Sequence, residues 1–312
     1  MATLVSFHAH PDDECIATGG TLAAAASAGH RVVLVLATRG EEGEIADGVM
    51  ELDESLGDRR VAETARAAAR LGIARTEYLG YRDSGMVGTP QNEAQECFWQ
   101  ADIEEAANRL AEILAEEHAD VLTVYDENGG YGHPDHIQVH RVGVRAAEIA
   151  KTPRVYEATM NRDAIKRFAI THQAEARDRG IETPFENPEE ITMGTPEADI
   201  TTTVDVRDFV DIKRAALAEH ASQVDGNSFF LAIPVEIFRD LSGQSGSFGE
   251  APPPSAKTGN RRGKLHFSVP DLLGRGSLLT VTQNDLEFRC NIKVADLNQT
   301  KLTKWGKSDS NI

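Results

Sequence analysis

TLVSFHAHPDDE, residues 3–14, is a β-branched and aromatic run that breaks off into a histidine, a proline and three consecutive acids. The first half predicts a strand, Thr3–Phe7, and the second half a turn placed directly after it. The same pattern recurs along the first 160 residues. Strands are predicted at Arg31–Ala37, Glu77–Leu79, Asp120–Tyr125 and Arg154–Glu157, with helical patterns between them. The clearest helix is Ala101–His118, where Ile103, Ala106, Ala107, Leu110, Ile113 and Leu114 recur on one face. Strands alternating with helices predict an α/β fold, a Rossmann-like and mostly parallel sheet with helices on both faces, here followed by a C-terminal extension. Open sheets of this kind bind ligands beyond the carboxyl ends of their strands, so functional residues are expected just after strands.

Composition narrows the function classes. With 312 residues, 50 Asp+Glu and 32 Lys+Arg, the chain carries a formal charge of −18 and lacks the basic footprint of a nucleic-acid partner. An anionic membrane surface is disfavoured for the same reason. The longest clean aliphatic run, Val32 to Ala37, is too short to span a bilayer, and no export signal precedes it, so a cytoplasmic location is expected. Cys15, Cys97 and Cys290 are odd in number and widely spaced, which fits free thiols rather than disulfides or a structural zinc cluster.

Beyond Met160 the pattern weakens. Val204-Asp205-Val206 followed by Phe209–His220 reads as a short strand entering a helix. From Ser242 to Lys264 the sequence is SGQSGSFGEAPPPSAKTGNRRGK, the Gly/Pro/Ser composition of a linker. Residues 251–312 carry +5 against −23 for residues 1–250. The expected organisation is a domain at 1–241, a linker at 242–264 and a tail at 265–312 without an assigned role.

Two clusters carry chemistry. His10-Pro11-Asp12-Asp13-Glu14 follows the first predicted strand, and Gly129-Gly130-Tyr131-Gly132-His133-Pro134-Asp135-His136 follows the fourth. Alone, the first could be a helix N-cap in which Asp12 or Asp13 accepts backbone N–H bonds ahead of a helix near Thr18 to Ala28. Alone, the second could be a pair of surface histidines. Placed at equivalent strand ends, the two can meet, and two histidines with a carboxylate and an open position make a catalytic zinc site.

On AHPDDE at 9–14 and GGYGHPDH at 129–136, the chain resembles the LmbE/PIG-L family of metal-dependent N-deacetylases. TRGEEGE at 38–44, RDSGM at 82–86 and YDENGGYGHPDH at 125–136 are most similar to the branch acting on mycothiol and its precursors. The resemblance covers roughly residues 3–240. It implies His10, Asp13 and His136 as zinc ligands and Asp12 as the general base that activates water, and iron(II) tolerates the same ligand set. It implies Tyr131 and His133 as supports for the oxyanion and the leaving amine. Arg60, Asp83 and Glu44 match positions near the family's sugar pocket.

Other readings accompany these. Arg60 could instead pair with Glu63 across a helix turn, and the acids Glu41 and Glu42 read better as a solvated loop than as substrate contacts. His8 reads as packed behind the site, whereas His220 and Gln223 in HASQVDG receive no role. The expected partner is a small-molecule sugar amide, with no nucleic acid and no membrane, and self-association is left open. The leading expectation is removal of the N-acetyl group from an N-acetylglucosaminyl, GlcNAc-inositol-like compound. A mycothiol S-conjugate amidase would use the same machinery on a larger acyl group. A non-haem iron(II) oxygenase shares the ligand types but has no use for the adjacent acid. A non-catalytic sugar- or nucleotide-binding module has no need for Asp12 beside the metal set, and no phosphate-cradling glycine motif is present.

Overall fold

The structure, a computed structural model, describes residues 1–46, 48–50, 53–178, 188–224, 228–242 and 247–250. Among the described residues, seven strands form one sheet: β1 (Thr3–His8), β2 (Arg31–Leu36), β3 (Arg75–Tyr78), β4 (Val121–Tyr125), β5 (Arg154–Thr159), β6 (Thr202–Thr203) and β7 (Ser247–Glu250). Their order is β3-β2-β1-β4-β5-β7-β6. The first five are parallel, and β7 runs antiparallel to β5 and β6. The helices are α1 (Gly19–Ser27), α2 (Leu56–Leu71), α3 (Ile103–Glu116), α4 (Gly129–Gly132), α5 (Pro134–Ala150), α6 (Arg162–Asp178), α7 (Val210–Leu217), α8 (Phe229–Ala232) and α9 (Val235–Ser242).

Both faces of the sheet are covered because successive residues of each strand point opposite ways. Val5, Phe7, Val33 and Val35 join Ala106, Leu110 and Leu114 of α3 and Val139, Val142 and Ala146 of α5 in one core. Leu4, Val32 and Val121 turn the other way, onto Leu22 and Ala25 of α1. Outside α1, Ala67 and Leu71 of α2 pack with Ala216 and Leu217 of α7. The central strands are therefore buried on both sides, which is why they read as continuous apolar runs. At the far end of the sheet, Glu117 after α3 bonds Arg31 and Arg75, which open β2 and β3. No helix among the described residues is long and apolar enough to cross a membrane.

The five predicted strands all form, with β3 starting two residues and ending one residue earlier, and β5 running two residues further, than expected. Val204-Asp205-Val206 is not a strand; the strand is Thr202–Thr203, just before it. Both valines are buried, Val206 against Gly20 of α1, so their alternation reports packing onto a helix rather than a ladder. The stretch read as linker, 242–264, also differs: its first residue closes α9, and 247–250 is β7. Ser247-Phe248-Gly249-Glu250 is too short to show a period and acquires its pairing from the exposed edge of β5. The rest of that stretch, the tail at 265–312 and Cys290 lie outside the described residues. Cys15 and Cys97 are free and buried.

Candidate active site

β1 and β4 are neighbours, and the chain leaves them toward opposite halves of the sheet: β2 and β3 lie beyond β1, and β5 beyond β4. This is the topological switch point, and both motif loops open there. After β1 the chain turns at Pro11-Asp12 and enters a π-helical turn, Glu14–Thr18, ahead of α1. After β4 it passes through Gly129, Gly130 and Gly132, all at positive φ, and enters α5 with His133 as N-cap and Pro134 in the first turn. A Cβ on Gly129 would lie 2.7 Å from His136 Cβ, so this close approach requires glycine.

Three of the expected residues converge. Asp13 Oδ2 lies 3.3 Å from His10 Nδ1 and 3.3 Å from His136 Nε2. Tetrahedral metal–ligand bonds of about 2.0–2.1 Å hold ligand atoms about 3.3–3.4 Å apart, so each of these two spacings to Asp13 fits a shared divalent cation. The His136 atom is buried and has no hydrogen-bond partner of acceptable geometry, Asp13 included. On the far side of the His10 ring, Nε2 faces Asp135 Oδ2 at 3.2 Å and Asp83 Oδ1 at 3.5 Å. That arrangement leaves Nδ1 free to ligate while carboxylates orient the ring. His136 is held differently, stacked on Tyr125 with ring centroids 4.2 Å apart. A ring nitrogen of His133 also comes within 4.8 Å of nitrogens of His10 and His136. Its Nδ1, however, accepts the N–H of Asp135.

The electrostatics follow from burial among mixed charges. Burial disfavours the charged form of Asp13, but His136 and His10 overcome it and hold the carboxyl well below its usual range. Burial likewise pulls His10 down, and Asp83, Asp13 and Asp135 more than reverse it. Asp12 goes the other way: burial pushes it up to about 6, against the pull of Arg60 and with Asp13 adding to the rise. A carboxyl in that range is suited to taking and returning a proton near neutrality.

Asp12 sits at φ +90°, a conformation that costs a non-glycine residue on the order of 1–3 kcal/mol. Its N–H donates to Glu14 Oε2 at 2.9 Å, and its C=O accepts from the N–H groups of Cys15 and Ile16. Arg60 Nη2 lies 3.2 Å from Asp12 Oδ2 and also bonds Pro11 O, while Nη1 bonds Gly40 O. The N-cap reading of the first cluster does not hold: Asp13 makes no side-chain cap bond to the helix and accepts the N–H of His10 instead.

His133 and Tyr131 flank the centre from the second loop. Burial, with His10 and His136 nearby, lowers His133 to about 4. Its Nδ1 accepts a bond, so the proton of the neutral ring resides on Nε2. Tyr131 is half-exposed, with its ring edge-on to His136 at 5.0 Å and to His133 at 6.2 Å. Burial raises its hydroxyl, followed by Asp13. The loop is anchored by Asp126, which accepts from the N–H groups of Asn128 and Gly130 and from Thr159.

The three residues placed near the sugar pocket separate. Asp83 is buried, contacts His10, and accepts from Gly85 N and Glu42 N. Arg60 is 4% exposed on its side chain and turned onto Asp12; the surface pair with Glu63 is absent, because Glu63 bonds Arg59 and Ser222. Glu44 is exposed on its loop. Glu41 and Glu42 are not a solvated pair: Glu41 accepts the N–H of Asp83, and Glu42 pairs with Arg82 and Gln91. These contacts fasten the 38–44 loop to the 82–91 loop, a partnership that the sequence does not display.

Sequence reasoning missed Asp135, fully buried, which bonds His10, Ser84 N and Ser84 Oγ. Its place between the paired histidines of HPDH was the available signal. It missed Tyr125, which stacks on His136 and bonds His8 Nδ1 at 2.9 Å, and Glu14 with His220. His8 is packed as expected, bonding Tyr125, Ser6 and Thr18, and burial lowers it to about 4.

The sequence profile of the GlcNAc-PI de-N-acetylase (PIG-L) family matches residues 5–147. A protein of Catenulispora acidiphila named 1D-myo-inositol 2-acetamido-2-deoxy-alpha-D-glucopyranoside deacetylase 1 is 41% identical over 256 residues, covering 75% of this chain and 79% of its own. The 1D-myo-inositol 2-acetamido-2-deoxy-alpha-D-glucopyranoside deacetylase of Acidothermus cellulolyticus is 46% identical over 251 residues, covering 76% of this chain and 85% of its own. Among solved structures, the N,N'-diacetylchitobiose deacetylase of Pyrococcus horikoshii shares the fold, with TM-score 0.50, 20% identity and coverage of 78% and 82%.

Proposed function

Since the chain belongs to the PIG-L/LmbE family of deacetylases, we propose that it is a metal-dependent hydrolase that removes the N-acetyl group from a GlcNAc-inositol-like sugar amide, giving free amine and acetate. The observation that carries the reading is the convergence of Asp13 Oδ2 on His10 Nδ1 and His136 Nε2 with Asp12 beside them. His10, Asp13 and His136 would hold the cation, and zinc is the metal proposed, since tetrahedral N/O sites with one open position favour it. Bound there, a divalent cation supplies Lewis acidity, polarising an amide carbonyl and lowering the pKa of water.

The chain's own groups account for the proton movements. Asp12 takes a proton from the attacking water and delivers it to the amine nitrogen as the C–N bond breaks, so the two products leave neutral in sum. His133, with its proton on Nε2, and Tyr131, whose hydroxyl stays protonated, are donors for the oxygen that gains charge. Asp135 and Asp83 orient His10. Asp83 and Glu44 are the groups proposed to meet sugar hydroxyls, and Arg60 acts at the Asp12 end of the pocket. A cytoplasmic setting belongs to the same reading and accords with the free thiols of Cys15 and Cys97.

The test is amine release from GlcNAc-inositol and simpler N-acetylglucosamine compounds, before and after chelation and zinc restoration. Metal-dependent release is expected. Absence of release from a protein carrying one zinc per chain, or a kcat/KM favouring bulky S-conjugate amides, would overturn the proposed substrate.

A further inference from the structure

Glu14 and His220 form a fully buried pair, 206 residues apart in sequence, directly behind Asp12. His220 Nε2 lies 2.8 Å from Glu14 Oε1, and a carboxylate only accepts, so Nε2 is the donor. Cys15 Sγ donates to the same oxygen at 3.2 Å. The other oxygen, Oε2, accepts the N–H of Asp12, the residue whose backbone is held at φ +90°.

His220 is itself fixed from outside the motif. It lies in the turn after α7, where Ser222 N and Oγ donate to the buried Glu63 of α2 at 3.0 and 2.6 Å and Ser222 O accepts from Ala46 N. The chain thus runs from α2 through the 220–223 turn and the Glu14 carboxylate to the Asp12 backbone. Glu63, Ser222, His220 and Glu14 are buried, and both Glu14 oxygens are bonded, so the carboxylate cannot rotate without leaving a donor unpaired.

The geometry points to His220 and Glu14 as positioning residues that hold the strained Asp12 backbone, and through it the orientation of the Asp12 carboxylate, during amide hydrolysis. The inference rests on the proposed deacetylation only for its kinetic readout. It explains why the Asp12 conformation persists in a loop of the first motif: the restraint comes from the C-terminal part of the domain. An Asp12 carboxylate free to turn would still be present and still acidic, but displaced from water, which lowers kcat rather than substrate binding.

The test uses the full zinc-loaded chain. His220→Leu keeps bulk and removes the donor, whereas His220→Gln keeps an N–H donor. The leucine variant is expected to lose about 10- to 100-fold in kcat with KM within about twofold and zinc still at one per chain, and the glutamine variant to recover most of the loss. Glu14→Gln leaves one carbonyl oxygen for three donors and is expected to fall with the leucine variant, so it decides the matter if His220→Leu does not fold. Wild-type kcat in these variants, equal loss in His220→Leu and His220→Gln, or zinc loss in proportion to activity would each overturn the inference. A wild-type chain without turnover would sink the deacetylase reading alone. Crystal structures of the same variants then decide this one: Asp12 is expected to leave φ near +90°, and an unmoved Asp12 overturns it.

Discussion

Replacing Asp12 by alanine removes a carboxylate that is not among the three converging donors, so metal binding and turnover should separate at this position. Asp12→Ala is expected to keep one zinc per chain and to lose about 10²- to 10⁴-fold in kcat, read by metal analysis and amine release. Full activity in that variant would refute the base. Gly129 makes the complementary case. Its φ is +63°, and an added Cβ would meet His136 Cβ at 2.7 Å and Ile137 N at 2.8 Å. Gly129→Ala should therefore cost about 1–2 kcal/mol in urea unfolding and reduce kcat by displacing His136. Single residues also mark where sequence reading stops. His10, Asp12, Asp13 and His136 are legible because each sits in a short motif of uncommon composition. Asp135 sat inside the same motif unassigned, and its contact with His10 exists only because β1 and β4 are adjacent.

At the scale of elements, the ends of β2, β3 and α3 are tied by Glu117, 5% exposed on its side chain, to Arg31 and Arg75. Hydrogen bonds from Arg31, set against the cost of burial and joined by those from Arg75, lower Glu117 from 4.5 to about 2. A carboxyl lowered on folding stabilises the protein above its unfolded pKa and ceases to do so as pH falls through the folded one. Glu117→Gln is thus expected to melt lower than wild type at pH 7, with the gap closing between pH 4.5 and about 2. A gap that persists at pH 2 would assign the loss to packing. The parallel strands and the amphipathic α3 were readable because burial on two faces, or on one stripe, leaves a period in the sequence. Val204–Val206 shows the converse, since alternating valines arise equally from packing into the cluster formed with Leu22 and Ala25 of α1.

For the whole molecule, ligand linkage and domain extent are the relevant quantities. A cation that binds only the folded chain stabilises it by about 2.7 kcal/mol at a free concentration 100-fold above Kd, so adding zinc should raise Tm by several degrees. His136→Ala should abolish that rise, and a rise unaffected by the substitution would move the site elsewhere. The proposed domain boundary at 241 is tested by truncation. A chain ending at residue 241 lacks β7, which pairs with both β5 and β6, and is expected to melt below a chain ending at Glu250. Equal melting would show that β7 contributes nothing to the sheet.

The sequence by itself determined the α/β class, the five parallel strands, the two motif loops and their resemblance to the deacetylase family, because periodicity and uncommon local composition are properties of neighbouring residues. Tertiary structure decided which distant groups share an environment. It placed Asp135 and Asp83 against His10, turned Arg60 from the helix surface onto Asp12, converted Glu41 and Glu42 from solvated acids into loop fasteners, and buried His220 against Glu14. Charge pairing and hydrogen bonding act over a few ångströms in space, and strand order and helix packing set which residues come that close.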